Sequence, residues 1–147
     1  MVQMAHIGIY VNNLERMAKF YKDVFHMHVI CERIFQKDEL VKDILKDIHG
    51  GLLITKLITD QGKASGIDDM LELLQVVGRE ARPVLANIYQ PGCAHIGFCV
   101  DDLKDTLRNI VDYGGLDYSG IHHMENRNYC CFARDLEGNW LELIERH

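Results

Sequence analysis

The chain has 147 residues, 48% hydrophobic and 26% charged, with a net charge of −6, a length that suits one domain with a core of its own. The acidic balance argues against nonspecific nucleic-acid binding, and no apolar run reaches the roughly 18 residues of a membrane span. Five cysteines without a C-x-x-C spacing, and no signal-like N-terminal stretch, lead us to expect a cytoplasmic protein.

In chain order, "HIGIYV" (His6–Val11) is short, β-forming and alternating. It sets Ile7, Ile9 and Val11 on one face and His6, Gly8 and Tyr10 on the other. Asn12 and Asn13 supply an N-cap, and Leu14, Met17, Ala18, Tyr21, Val24 and Phe25 follow at helical spacing. Strands are expected at Val29–Arg33, Leu52–Thr59 and Met70–Val77. Between the first two, Leu40, Val41, Ile44, Leu45 and Ile48 mark an added amphipathic helix over Lys37–Ile48, serving as a lid or as packing. "DQGKASGIDD" (60–69) reads as a loop, and "GREARPVLANIYQPGCA" (78–94) as a connection between halves.

The second half opens with "HIGFCV" (His95–Val100) and a cap at Asp101-Asp102. A helix through Leu103, Leu107, Ile110 and Val111 is stopped by Gly114-Gly115. Strands are expected at Leu116–His122, Tyr129–Asp135 and Trp140–Glu145. Each half then reads β-α-β-β-β, which divides a single domain (1–147) into a module 1–77, a connection 78–94 and a module 95–147.

The halves repeat each other. An offset of 89 aligns His6 with His95, Ile7 with Ile96, Gly8 with Gly97, Val11 with Val100 and Leu14 with Leu103. The ends match at an offset of 70, "MLELLQV" (Met70–Val76) against "WLELIER" (Trp140–Arg146). In each "LEL" the leucines face one way and the glutamate the other. One His on the first strand and one Glu on the last therefore sit off the aliphatic face in each half: His6 with Glu72, His95 with Glu142. A buried glutamate there is costly unless paired or bound to metal. A pseudo-twofold relation would bring the four to one point, as N2O2 ligands for a divalent metal completed by water.

The paired halves, the two "HIG" starts and the ending "ARDLEGNWLELIE" resemble the vicinal oxygen chelate superfamily. That group contains glyoxalase I, methylmalonyl-CoA epimerase, extradiol dioxygenases, fosfomycin-resistance enzymes and bleomycin-binding proteins. The resemblance covers essentially the whole chain. "RDLEGNWLEL" is similar to the family's D-P-x-G-x-x-x-E-L, with Leu136 where proline is usual. It implies an α+β fold in which two paired βαβββ modules form a curved sheet around a metal-binding cavity. The family's four metal positions match His6, Glu72, His95 and Glu142, and Glu142 and Glu72 are the candidate catalytic bases. The implied cofactor is one divalent ion: Ni, Co, Mn, Zn or Fe(II).

The His-Glu-His-Glu set is most similar to that of glyoxalase I. The implied activity is a lyase or isomerase moving a proton next to a metal-chelated carbonyl of a thioester or hemithioacetal. Alternatives are an epimerase acting on an acyl-CoA, a ligand-sequestering protein of the bleomycin-resistance type and, least favoured, an extradiol dioxygenase, whose iron needs a position that Glu72 would fill. The expected partners are a small-molecule substrate such as a glutathione or CoA conjugate and a second copy in a homodimer, with neither nucleic acid nor membrane. Arg16, Arg33, Arg79, Arg82, Arg108, Arg127 and Arg134 are undifferentiated candidates for its anionic groups. His26, His28, His49 and His122-His123 read as surface or local structure, Cys130-Cys131 as alternating strand residues, and Tyr10 and Cys99 share the cavity face.

Overall fold

The first module is built on β1 (His6–Tyr10), α1 (Leu14–Phe25), β2 (His28–Gln36), α2 (Glu39–Leu45), β3 (Leu52–Ile58), α3 (Asp60–Ser65) and β4 (Met70–Val76). The structure, a computed structural model, describes residues 1–46, 49–82 and 87–147. They divide into two units, Met1–Ala81 and Arg82–His147. The first unit runs past Val77 to Ala81, whose carbonyl accepts from the Asn12 side chain (2.6 Å) and whose N–H donates to it (3.0 Å).

Among the described residues, the strands of the first unit form one sheet in the order β1-β4-β3-β2, with β1 parallel to β4 and the other pairs antiparallel. One face carries the core. Leu14, Met17, Phe20 and Tyr21 of α1 are fully buried, as are Leu57 and Leu73, and α1 packs on β3 and β4. The opposite face carries His6, Gly8 and Glu72, since Gly8 pairs with Glu72 and His6 with Met70. Part of that face is closed by α2, whose Val41 is buried with Leu52, Ile54 and Leu74. Within this unit the added helix is therefore packing. Asp38 caps it, accepting from the Val41 N–H at 3.0 Å, and this bond holds the Asp38 carboxyl below its usual range. The helix is shorter than the expected Lys37–Ile48, and Ile48 lies outside the described residues.

The stretch 60–69, expected as a loop, contains α3 instead. Thr59 caps it through Gly62 N–H (3.0 Å), and Gly66 ends it in the left-handed region at φ 70°. Strand β2 runs longer than Val29–Arg33 by way of an irregularity: register shifts flank Cys31, Arg33 takes φ 49°, and its N–H bonds to the buried Thr55 hydroxyl (3.1 Å).

The second unit comprises β5 (His95–Cys99), α4 (Leu103–Asp112), β6 (Leu116–Asp117), β7 (His122–His123), β8 (Tyr129–Arg134) and β9 (Trp140–Glu145). Its described strands run β5-β9-β8-β6, with β7 also on β8 and β5 parallel to β9. The expected strand Leu116–His122 is thus two short pieces. Tyr118 and Ser119 both donate to the Phe132 carbonyl (3.0 and 3.2 Å), a two-against-one bulge, and Gly120 turns the chain at φ 69°. In the connection 78–94, residues 83–86 lie outside the described residues. Both units are mixed α+β with open sheets.

Helix entry uses the same device in each. Asn13 accepts from Arg16 N–H (3.0 Å) and Asp102 from Asp105 N–H (2.8 Å). A side chain from the last strand then takes the N–H of the first helical residue. Gln75 accepts from Leu14 (2.8 Å) and Glu145 from Leu103 (2.8 Å). Strand and helix are thereby locked at one corner of each module.

Candidate functional site

In the first module the parallel pairing of β1 with β4 sets Gly8 across from Glu72, with His6 one pleat away on the same face. His6 Nε2 stands 3.0 Å from Glu72 Oε2; the histidine side chain is 40% exposed and the glutamate 13%. In the second, Gly97 faces Glu142, and His95 Nε2 stands 3.2 Å from Glu142 Oε2. The glycine of each "HIG" has a physical reason. A Cβ on Gly8 would lie 3.7 Å from Glu72 Oε2, and one on Gly97 3.6 Å from Glu142 Oε2. Any larger side chain would fill the space over the carboxylate.

The sequence-derived residues are thus assembled as two pairs, each within its own unit. Among the described residues, no cluster of three or more His, Cys, Asp or Glu is arranged for a metal. Each pair fits metal binding by its donor chemistry: one imidazole nitrogen and one carboxylate oxygen converge within hydrogen-bond distance, a set that borderline divalent ions accept.

The neighbours of the two glutamates differ, and sequence reading missed both. Lys56, opposite Glu72 in the β3–β4 ladder, places Nζ 3.4 Å from Glu72 Oε1. Cys130 donates its thiol to Glu142 Oε1 at 3.5 Å. Burial, reinforced by that bond to Glu142, pushes the Cys130 thiol up to about 11. Phe132 takes the place opposite Glu142 and packs edge-on against the His95 ring, centroids 5.3 Å apart.

Beside the first pair lies an open groove of about 370 Å³, lined by His28, Ile58, Lys63, Ile67 and Met70 among others. It lies on the His6 face, because Met70 pairs with both His6 and Ile58. His28 binds the Asp60 carboxylate, which lowers the Asp60 pKa, and His122 bonds the Ser119 carbonyl (3.0 Å). Both act as local structure, as expected. Arg134 stacks its guanidinium 3.8 Å from the Trp140 ring centroid, and its buried Nε has no hydrogen-bond partner among the described residues. Arg33 pairs with Glu15 and Arg108 with Asp105. Tyr10 is exposed on the His6 face.

The "RDLEGNW" stretch is a turn organised by one carboxylate. Buried Asp135 accepts from the N–H groups of Glu137 (3.0 Å) and Asn139 (2.9 Å) and from Asn139 Nδ2 (2.8 Å), while Gly138 takes φ 89°. It joins β8 to β9 and so fixes the register that places Glu142.

Comparison with known proteins agrees with this architecture. The chain is 28% identical to lactoylglutathione lyase of Schizosaccharomyces pombe over 98% of its own length, and spans 47% of that protein. A glyoxalase family protein from Bacillus cereus shares the fold with a TM-score of 0.84 and 18% identity, over 99% of this chain and 94% of that one. Glyoxalase I from Zea mays does so with a TM-score of 0.70 and 21% identity, over 98% of this chain and 44% of that one. Residues 3–143 match the family of these folds. The chain belongs to the Glyoxalase/Bleomycin resistance protein/Dioxygenase superfamily.

Proposed function

We propose that His6, Glu72, His95 and Glu142 are the ligands of one divalent metal ion in an enzyme of the glyoxalase I type. The supporting observation is the same His–Glu pair in the same strand register of both modules, each kept open by a glycine. The likeness to a lactoylglutathione lyase supports the substrate class, a thioester or hemithioacetal of glutathione or a similar thiol. When bound, such an ion supplies Lewis acidity and positions for two neighbouring substrate oxygens. The protein's own part is the proton. Glu72 and Glu142 share a face with the histidines, and either, once off the ion, is the candidate base for the proton on the carbon next to the carbonyl. The groove beside His6, apolar at Ile58, Ile67 and Met70, receives the remainder of the substrate.

We further propose a homodimer in a cytoplasmic setting. Among the described residues, β1 and β2 are the outer strands of the first sheet, edges of the kind that favour pairing with a second copy, and all five cysteines are free thiols. Among the described residues, no helix is long and apolar enough to cross a membrane. A light-scattering mass near that of one 16.9 kDa chain would count against the dimer.

The test of the activity crosses Ni, Co, Mn, Zn and Fe(II) with glutathione hemithioacetals and acyl-CoA thioesters in heavy water. Product with deuterium at the carbon next to the carbonyl is the expected result. Glu→Gln at position 72 or 142 lowers turnover on the order of a hundredfold or more. Oxygen uptake with a catechol, or ligand binding without turnover under every metal, would overturn it in favour of a dioxygenase or a sequestering protein.

A further inference from the structure

Glu72 and Glu142 hold matching places, yet their partners across the antiparallel ladder carry different charge. Lys56 stands opposite Glu72 and Phe132 opposite Glu142, and cross-strand partners project to one face. The two oxygens of Glu72 are divided between a cation and an imidazole, Oε1 with Lys56 Nζ at 3.4 Å and Oε2 with His6 Nε2 at 3.0 Å. Those of Glu142 meet an imidazole and a neutral thiol. The Glu72 side chain is only 13% exposed and that of Lys56 36%, so the pair is incompletely screened by water.

We propose that Lys56 is a positioning residue of the first half-site: its ammonium is the resident counter-ion of Glu72, and a divalent metal ion engages that carboxylate by displacing it. The inference rests on reading the His–Glu pairs as metal ligands. A lysine ammonium is a compact point charge. Beside a doubly charged ion at a half-buried carboxylate it is repelled, and the Coulomb cost at such a place is appreciable. Lys56 therefore weakens metal binding at the first half-site, whereas at the second the equivalent position holds the uncharged Phe132, and the cation on the same face of that strand, Arg134, is stacked on Trp140.

Calorimetric titration of Mn²⁺ and Zn²⁺ alone into the whole chain tests this, with folding followed by circular dichroism. The expected result is that Lys56→Met binds about tenfold or more tightly than wild type, while Lys56→Arg, which keeps the charge, stays close to wild type. Phe132→Lys binds more weakly than Phe132→Met, the control for loss of the ring against His95. A folded Lys56→Met protein that binds metal no more tightly than wild type overturns the proposal and leaves the metal reading standing. Failure of both proteins to bind either ion overturns the metal reading and this proposal with it. Metal binding by Lys56→Met alone supports both. Should Lys56→Met not fold, the Phe132 pair decides: equal affinities for Phe132→Lys and Phe132→Met overturn the proposal.

Discussion

Gly97 faces Glu142 directly across the parallel ladder of β5 and β9, as Gly8 faces Glu72 across β1 and β4. A side chain at either glycine would stand over the carboxylate. Gly97→Val and Gly8→Val are expected to lower divalent metal affinity at least tenfold while leaving the melting temperature within a few degrees, since valine suits a strand better than glycine by up to about 1 kcal/mol. Calorimetric titration read beside thermal melts separates the two effects.

The link between last strand and helix start gives a second test. Gln75→Ala strands the Leu14 N–H and Glu145→Ala the Leu103 N–H. Each is expected to cost about 1 kcal/mol, in the range of a lost helix cap. The two changes share no partner, so the double variant is expected to show the sum. Urea midpoints at constant slope are the measurement.

Asp135→Ala removes three acceptor contacts from a part-buried turn at once. Three part-buried donors losing their acceptor together make this expensive, about 2–4 kcal/mol. Asp135→Asn keeps one oxygen and is expected to lose less. Equal urea midpoints for wild type and Asp135→Ala would show that the turn does not depend on this carboxylate.

Alkaline pH probes the thiols. Burial raises Cys131 to about 12, and burial with the Glu142 bond raises Cys130 to about 11, from an ordinary 9.0. Both folded values exceed the unfolded one. The stability they contribute is therefore complete below pH 9 and lost as pH rises through about 11 and 12. Urea midpoints are expected to fall above pH 9, and less steeply in a Cys130→Ala, Cys131→Ala double variant.

Much of this architecture is legible in the sequence because it is repeated there. Alternation in "HIGIYV" and "LELLQV" assigns faces without knowledge of neighbours, and Asn13 and Asp102 announce their helices. What stays hidden depends on register between strands distant in sequence. Nothing in the spacing from Lys56 to Glu72, or from Cys130 to Glu142, says that they meet; the antiparallel ladders decide it. Helix α3 is missed for another reason. Gly62 argues against a helix by propensity, yet a Cβ there would come within 2.8 Å of the Asp69 Cβ and 2.9 Å of Ile58 Cγ1. Close packing, not local preference, selects that glycine. The two pieces β6 and β7 follow from the bulge opposite Phe132, which strand-forming composition does not reveal.

The parallel seam in each module also sets when it can form. His6 must wait for Met70, 70 − 6 = 64 positions later, whereas His95 meets Trp140 after 140 − 95 = 45. Closing the longer span costs only about 0.3 kcal/mol more in loop entropy. During synthesis the delay matters more than the energy. Until the Met70–Val76 segment has emerged from the ribosome, the nascent β1 has no β4 to pair with, and Ile7 and Ile9 are without their seam neighbours Leu71 and Leu73. That interval is when the growing chain is most open to wrong pairing.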